Sequence, residues 1–338
     1  MPYNVGLTRR SFLKRSGMAT AAGAAGLVLG LPSVAYGAPS DVRVDARGSI
    51  QSAVDRVAEG GTVRVAPGVY RETVVIDKPL TVLSEAGPRS TIVKADPERF
   101  AYEDRAIDDI VVGAFNVYQT PDVTVRGFTV TDALEGVWAT LAQRVSIADM
   151  ISFSNDSSGY YFWSCQDAEL TDSWGYDNAV GMYQGQSGEV SVARSLFMFN
   201  RSGTAPHLND LEFPGVGILV GNLSNAGRIA GCHCLNNRDA GVRVNFRIQN
   251  IIIEENEIRH NRAGVVIGET QNVVHRNNIV DNAEFGLDTA LSIDATNNWW
   301  GDPSGPSGAG PGRGDVVTSS AQFDPWLSAP VDVAPIEI

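Results

Sequence analysis

Between Arg126 and Trp299 the chain repeats one short phrase: polar, any, apolar, any, any, polar, with a glycine a few residues later. The apolar third positions are Phe128, Ile151, Trp174, Phe197, Cys234, Ile258, Ile279 and Trp299. The steps between them are 23, 23, 23, 37, 24, 21 and 20 residues. The closing polar positions are Thr131, Ser154, Asp177, Asn200, Asn237, Asn261 and Asn282. A period near 22, broken once by about 14 extra residues, marks a repeat architecture. Units this short cannot bury an apolar face alone, so they must stack.

VTVRGFTV, IIIEENEI and AGVVIG alternate or run apolar over four to eight residues and are rich in Val and Ile. Glycine and asparagine separate such segments, and no 3.6-residue periodicity survives across a repeat. The leucine-spaced consensus of leucine-rich repeats is absent. About 22 residues make one coil of three short strands with tight corners, and successive coils pair in parallel about 4.8 Å apart. Asn200, Asn237, Asn261 and Asn282 then share one corner, where they are expected to take left-handed backbone angles and hydrogen-bond as a ladder. The expected fold is all-β, a parallel β-helix solenoid.

Ahead of the repeats, Ser49 is a possible N-cap for a short helix carrying Ile50, Ala53, Val54 and Val57. Gly60-Gly61 stops it, and Thr62–Val65 is read as the first strand. Such a helix would cap the open end of the core.

Composition narrows the partners. Thr8-Arg9-Arg10-Ser11-Phe12-Leu13-Lys14, an apolar run from Met18 to Leu31 and Ala35-Tyr36-Gly37-Ala38 read as a targeting segment, residues 1–38. The paired arginines resemble a twin-arginine export signal. Export to the cell surface, periplasm or medium is therefore expected, with a single domain over 39–327 and a tail over 328–338. Removing four basic residues and no acid takes the formal charge from −13 to −17, and Lys78 and Lys94 are the only lysines left. The lack of a basic stripe argues against nucleic acid and anionic membranes as partners, and no transmembrane segment is read in the mature chain. Three cysteines do not make a disulfide framework.

Ile50 to Val54, Gly61 to Val63, Val65-Ala66-Pro67-Gly68-Val69-Tyr70 and Val74 to Leu83 resemble the N-terminal coils of right-handed parallel β-helix proteins. These are the pectin-lyase-like superfamily, and in particular its carbohydrate-binding and sugar-hydrolase (CASH) and NosD-like branches. Asn297-Asn298-Trp299-Trp300-Gly301-Asp302-Pro303 and Phe323-Asp324-Pro325-Trp326-Leu327 resemble their closing segment. The likeness spans nearly the whole mature chain and implies a right-handed coil. Its activities range over lyases, hydrolases, esterases, epimerases and proteins without known chemistry. The Asp-Phe-Ile-Phe-Gly stretch of pectin methylesterases and the Asp-Pro-His stretch of alginate-type epimerases are absent.

Counting from the glycine after each corner puts Val137, Tyr160, Met182, Ile218, Val242, Val265 and Leu287 inward. Trp138, Tyr161, Trp163 and Tyr183 then point outward on adjacent coils as an exposed aromatic cluster, with Arg243, Asn245 and Asp288 further along. Flat rings suit sugar faces, so Trp138, Tyr161, Trp163, Tyr183 and Asn245 are candidate substrate contacts. The alternative is a satellite core beneath a loop. The extra residues, Thr204 to Pro214, leave the stack near this face with His207, Asp210 and Glu212. Together with Arg243 and Asp288 these are the candidate catalytic groups, for proton abstraction beside a uronate or for glycoside hydrolysis. The expected function is carbohydrate-polymer binding, with polysaccharide lyase or glycoside hydrolase chemistry as the candidate activity. The competing readings are a non-catalytic accessory or surface protein and a NosD-like metal-handling accessory protein. No cofactor is required, though the acidic stretch from Asp96 to Asp109 could take calcium. Cys232-His233-Cys234 reads as core cysteine, not a metal site.

Overall fold

The computed structural model describes residues 37–95, 113–205 and 211–336. Each coil of the solenoid lays down three strands, as in Pro121–Arg126, Thr129–Thr131 and Glu135–Thr140. Stacking sorts them into three parallel sheets of ten, nine and eleven strands, here the first, second and third in the order the chain meets them. The alternation of the third-sheet strands is realised as expected. Val137, Tyr160, Met182, Ile218, Val242, Val265 and Leu287 are aligned neighbours, all buried in one core that runs the length of the stack.

The N-terminal helix spans Ile50–Arg56. Ser49 caps it by accepting from the Ser52 N–H at 3.1 Å, and Glu72 accepts from the Ile50 and Gln51 N–H groups at 2.7 and 3.1 Å. Ile50, Ala53 and Val54 are buried, so the helix covers one end of the core. The first strand is not Thr62–Val65. Asp41–Val44 precedes it and pairs with Gly61–Val65 in parallel, because a four-residue strand with two inward valines is stable only once a neighbour supplies its hydrogen bonds.

The asparagine ladder exists, with two corrections. It begins two coils earlier than expected, at Asn155 and Asn178, each one residue after the closing polar positions Ser154 and Asp177. Asn155 Nδ2 donates to Asn178 Oδ1 at 3.0 Å, and the chain of bonds continues through Asn200, Asn237 and Asn261 to Asn282. The left-handed angles belong to the residue before each asparagine: Ser154, Asp177, Phe199, Asn236, His260 and Asp281 have φ between 51° and 58°. The preceding residue makes the bend, which frees each asparagine to turn its amide inward and along the stack. Asp315 Oδ2 ends the ladder, accepting from Asn282 N and Nδ2 at 3.0 and 2.8 Å. A glycine row beginning Gly136, Gly159 and Gly181 crosses above the ladder. A Cβ on Gly181 would lie 2.6 Å from the Gly217 carbonyl oxygen and 3.0 Å from Asn200 Nδ2, so only glycine fits there.

The same one-residue offset changes the second sheet. Ile151 aligns with Thr129 and Trp174, and Trp174 with Leu196, so Ile151 and Trp174 face outward instead of joining Phe197 and Cys234 in the core. A single-residue slip exchanges the two faces of a strand. Trp300, fully buried, takes the inward place expected for Trp299, which bridges to Asn278. The segment after residue 327 turns back along the outer face of this sheet. Val331 exchanges two hydrogen bonds with the Asn278 side chain at 2.8 and 2.9 Å, and His233 Nε2 lies 3.0 Å from the Ala334 carbonyl oxygen.

Candidate functional site

The outer face of the third sheet gathers the aromatic residues. Parallel pairing puts Trp138, Tyr161 and Tyr183 side by side on successive coils, followed by Leu219, Arg243, Val266 and Asp288. Two residues on, Thr140, Trp163, Gly185 and Gly221 form a second row. Tyr161 and Tyr183 stack at 4.7 Å between centroids and 26° between planes, while Trp163 and Tyr183 lie 6.5 Å and 14° apart. Trp138 tilts onto Tyr161 at 5.4 Å and 47°. The Trp163 ring lies across Gly185, where a Cβ would come 2.6 Å from Cε3. Glycine at that place is what lets the indole lie against the backbone.

The cluster is not uniformly exposed, as its outward direction had suggested. Tyr161 and Tyr183 are 1% and 2% exposed. They form a second apolar cluster outside the main core with Val180, Phe213, Val216 and Leu219, against which Trp138 and Trp163 pack partly buried. Rings wider than the 4.8 Å coil spacing overlap their neighbours, so pointing outward does not amount to meeting water. Burial pushes the phenols of both tyrosines well above their ordinary range. Tyr183 Oη accepts from Asn222 Nδ2 at 2.5 Å.

The 14-residue excess forms a hairpin, Gly203–Ala205 paired antiparallel with Leu211–Phe213, at the corner leading into this sheet. It delivers Phe213 onto Tyr183, with centroids 5.8 Å apart at 55°. Phe213 and Asn222 were missed in the sequence. The only hint of Phe213 was an aromatic residue beside Pro214-Gly215, and nothing local signals that Asn222 would reach a tyrosine 39 residues earlier.

The candidate charged residues do not converge among the described residues. His207 and Asp210 lie outside them, as does the acidic stretch from Asp96 to Asp109. Glu212 is exposed on the hairpin, and Asn245 is exposed beyond the end of its strand. Arg243 and Asp288 sit on one row two coils apart, about 10 Å at the usual strand spacing. Arg243 is also engaged. Its Nε and Nη2 donate to Asp239 Oδ2 at 3.1 and 2.5 Å. Arg262 holds the other oxygen of Asp239 through Nε at 3.0 Å, and its Nη1 reaches Glu284 at 2.6 Å. Asp239 is buried, and its backbone N–H donates to the Gly215 carbonyl at 2.9 Å, so this network braces the base of the hairpin.

The outward turn of the second sheet creates another aromatic patch, unseen in the sequence because of the register offset. Phe153 and Tyr176 stack at 5.1 Å and 2°, and the Arg89 guanidinium lies 5.7 Å over Trp174. Cys165, Cys232 and Cys234 are all buried and free. Burial pushes the Cys165 thiol up to about 11 and that of Cys232 to about 12. Among the described residues no group of three or more His, Cys, Asp or Glu side chains is placed to hold a metal ion. No helix there is long and apolar enough to cross a membrane.

Residues 113–299, more than half of the chain, match the family described as "Right handed beta helix region". The chain belongs to this family. No curated protein matches it. Among solved structures, ORF18 of Geobacillus virus E2 superposes with a TM-score of 0.58 at 13% identity, covering 77% of this chain and 56% of its own. The chain thus spans little more than half the length of that protein. The polygalacturonase from Erwinia carotovora ssp. carotovora gives 0.52 at 9% identity, over 79% of this chain and 82% of its own. The catalytic unit of the thermostable GH87 alpha-1,3-glucanase from Streptomyces thermodiastaticus strain HF3-3 gives 0.53 at 17%, over 79% and 55%. At these identities the likeness is one of fold.

Proposed function

We propose that the outer face of the third sheet binds a glycan chain, with Trp163 and Trp138 as its contacts and Tyr161 and Tyr183 as the support beneath them. The observation that carries this reading is the partly buried Trp163 ring laid across Gly185, within 14° and 23° of the planes of Tyr183 and Tyr161. Rings held this way need no rearrangement to meet the apolar C–H face of a pyranose. Two proteins of the same fold carry polysaccharide-degrading names, polygalacturonase and alpha-1,3-glucanase, which makes polysaccharide the first ligand class to test. The reading is one of binding, because Arg243 is committed to Asp239 and Asp288 stands two coils away.

The test is retention on a panel of immobilised polysaccharides. Trp163→Ala is expected to lose retention while the melting temperature moves little. Tyr161→Ala is expected to lose stability by about 3–5 kcal/mol, as for a truncated buried aromatic residue. Unchanged retention by a folded Trp163→Ala protein would return the whole cluster to a purely structural role.

Export by the twin-arginine route completes the proposal, supported by Arg9-Arg10 ahead of an apolar run. Replacing both arginines by lysine is expected to leave the precursor unprocessed inside the cell. Normal processing of that variant would count against the route.

A further inference from the structure

We infer that the glycan taken by this face is uncharged. The inference rests on the glycan-binding reading above and names its ligand class. A uronate chain needs a cation with uncompensated charge beside the rings. On the two outward rows of the third sheet, Arg243 is the only cation among the described residues. Its bidentate edge, Nε and Nη2, is already taken by the buried carboxylate of Asp239. Asp239 already balances the charge of this guanidinium, so an incoming carboxylate would bring a second negative charge to one cation beside a buried carboxylate.

The neighbouring charges point the same way. Arg243, Asp239, Arg262 and Glu284 form one connected set of two cations and two anions. Asp288, further along the row of Arg243, has no ion-pair partner among the described residues and leaves that end of the row negative. The chain as a whole carries −13, so its long-range field also opposes a polyanion. The rings themselves demand only apolar C–H faces, which neutral pyranoses supply at no electrostatic cost.

The decisive comparison uses one polymer in two charge states: polygalacturonate and the same material after carboxyl reduction, with linkage and ring stereochemistry unchanged. Affinities would be measured at low and high salt on the whole mature protein, with Trp163→Ala and Asp288→Lys in parallel and a panel of neutral glucans alongside. The reduced polymer is expected to bind at least about tenfold more tightly at low salt, with the gap narrowing as salt screens the repulsion. Asp288→Lys is expected to narrow it at low salt as well. Tighter binding of native polygalacturonate, weakening with salt and lost in Trp163→Ala, would overturn the neutral-ligand inference and leave glycan binding standing. Equal binding of the two charge states would overturn it too. If no polymer in the panel binds, the glycan reading itself falls, and this inference with it.

Discussion

Replacing Asn237 by alanine tests the device that holds the coils in register. Asn237 is 2% exposed. Its Oδ1 accepts from the backbone N–H of Asn200 at 3.2 Å and from Asn200 Nδ2 at 2.8 Å. Its Nδ2 donates to the Phe197 carbonyl at 3.1 Å and to Asn261 Oδ1 at 3.0 Å. Alanine removes all four bonds and spares the one made by the residue's own N–H to Asn261 at 2.9 Å. The Asn200 N–H is left buried without this acceptor, whereas the Asn200 amide keeps a bond to the Gly175 carbonyl at 3.3 Å. A stranded buried group costs about 1–3 kcal/mol. With one group stranded outright and three that each lose one partner, the expected loss is roughly 2–4 kcal/mol, large against a typical total of about 5–15. Asn237→Asp sharpens the test, since it keeps the acceptor but turns the donor into an oxygen facing Phe197 and Asn261. It should be worse than alanine at neutral pH and recover on mild acidification, when a protonated carboxyl can donate again. Urea unfolding followed by far-UV circular dichroism at two pH values measures both. An alanine variant within about 0.5 kcal/mol of the parent, the range of an ordinary surface substitution, or an aspartate variant indifferent to pH would refute the ladder as a stabilising element.

Two further outcomes follow from the buried thiols and the surface ion pairs. Cys165, Cys232 and Cys234 should resist a thiol reagent in the native protein near pH 8 and react together on unfolding, because burial holds all three thiols protonated; rapid labelling of native Cys234 would show the core register to be wrong. Hydrogen bonds from Arg194 hold the Asp172 carboxyl below its ordinary value of 3.8, so this pair stabilises the fold above pH 3.8 and its contribution is lost as pH falls through the lower folded value. Arg194→Met should therefore be less stable than the parent near neutrality, with the difference shrinking to nothing in strong acid; a difference that grows on acidification would reverse the assigned sign.

The sequence by itself determined the architecture. Alternation in segments such as Ile251–Glu254, glycines after each corner and a period near 22 leave little but a stacked coil, and the third-sheet core from Val137 to Leu287 follows by counting from those glycines. It also located the hairpin, since about 14 residues in excess of a coil must leave the stack. The phase of the second sheet was decided only by the tertiary structure. Coil length varies, as the 23-, 22-, 37-, 24- and 21-residue steps along the ladder from Asn155 to Asn282 show. A phase read in one coil cannot be carried into the next, and the hydrogen bonds between coils settle it. Those bonds turn Trp174 outward and make Asn155 and Asn178 the ladder members. Packing alone decided the character of the candidate site. Side-chain direction along a strand is local, and it was read correctly for Trp138, Tyr161 and Tyr183. Whether such a ring meets water, or whether the charge of Arg243 is already balanced, depends on groups such as Phe213 and Asp239 that only the stacking of coils brings within reach.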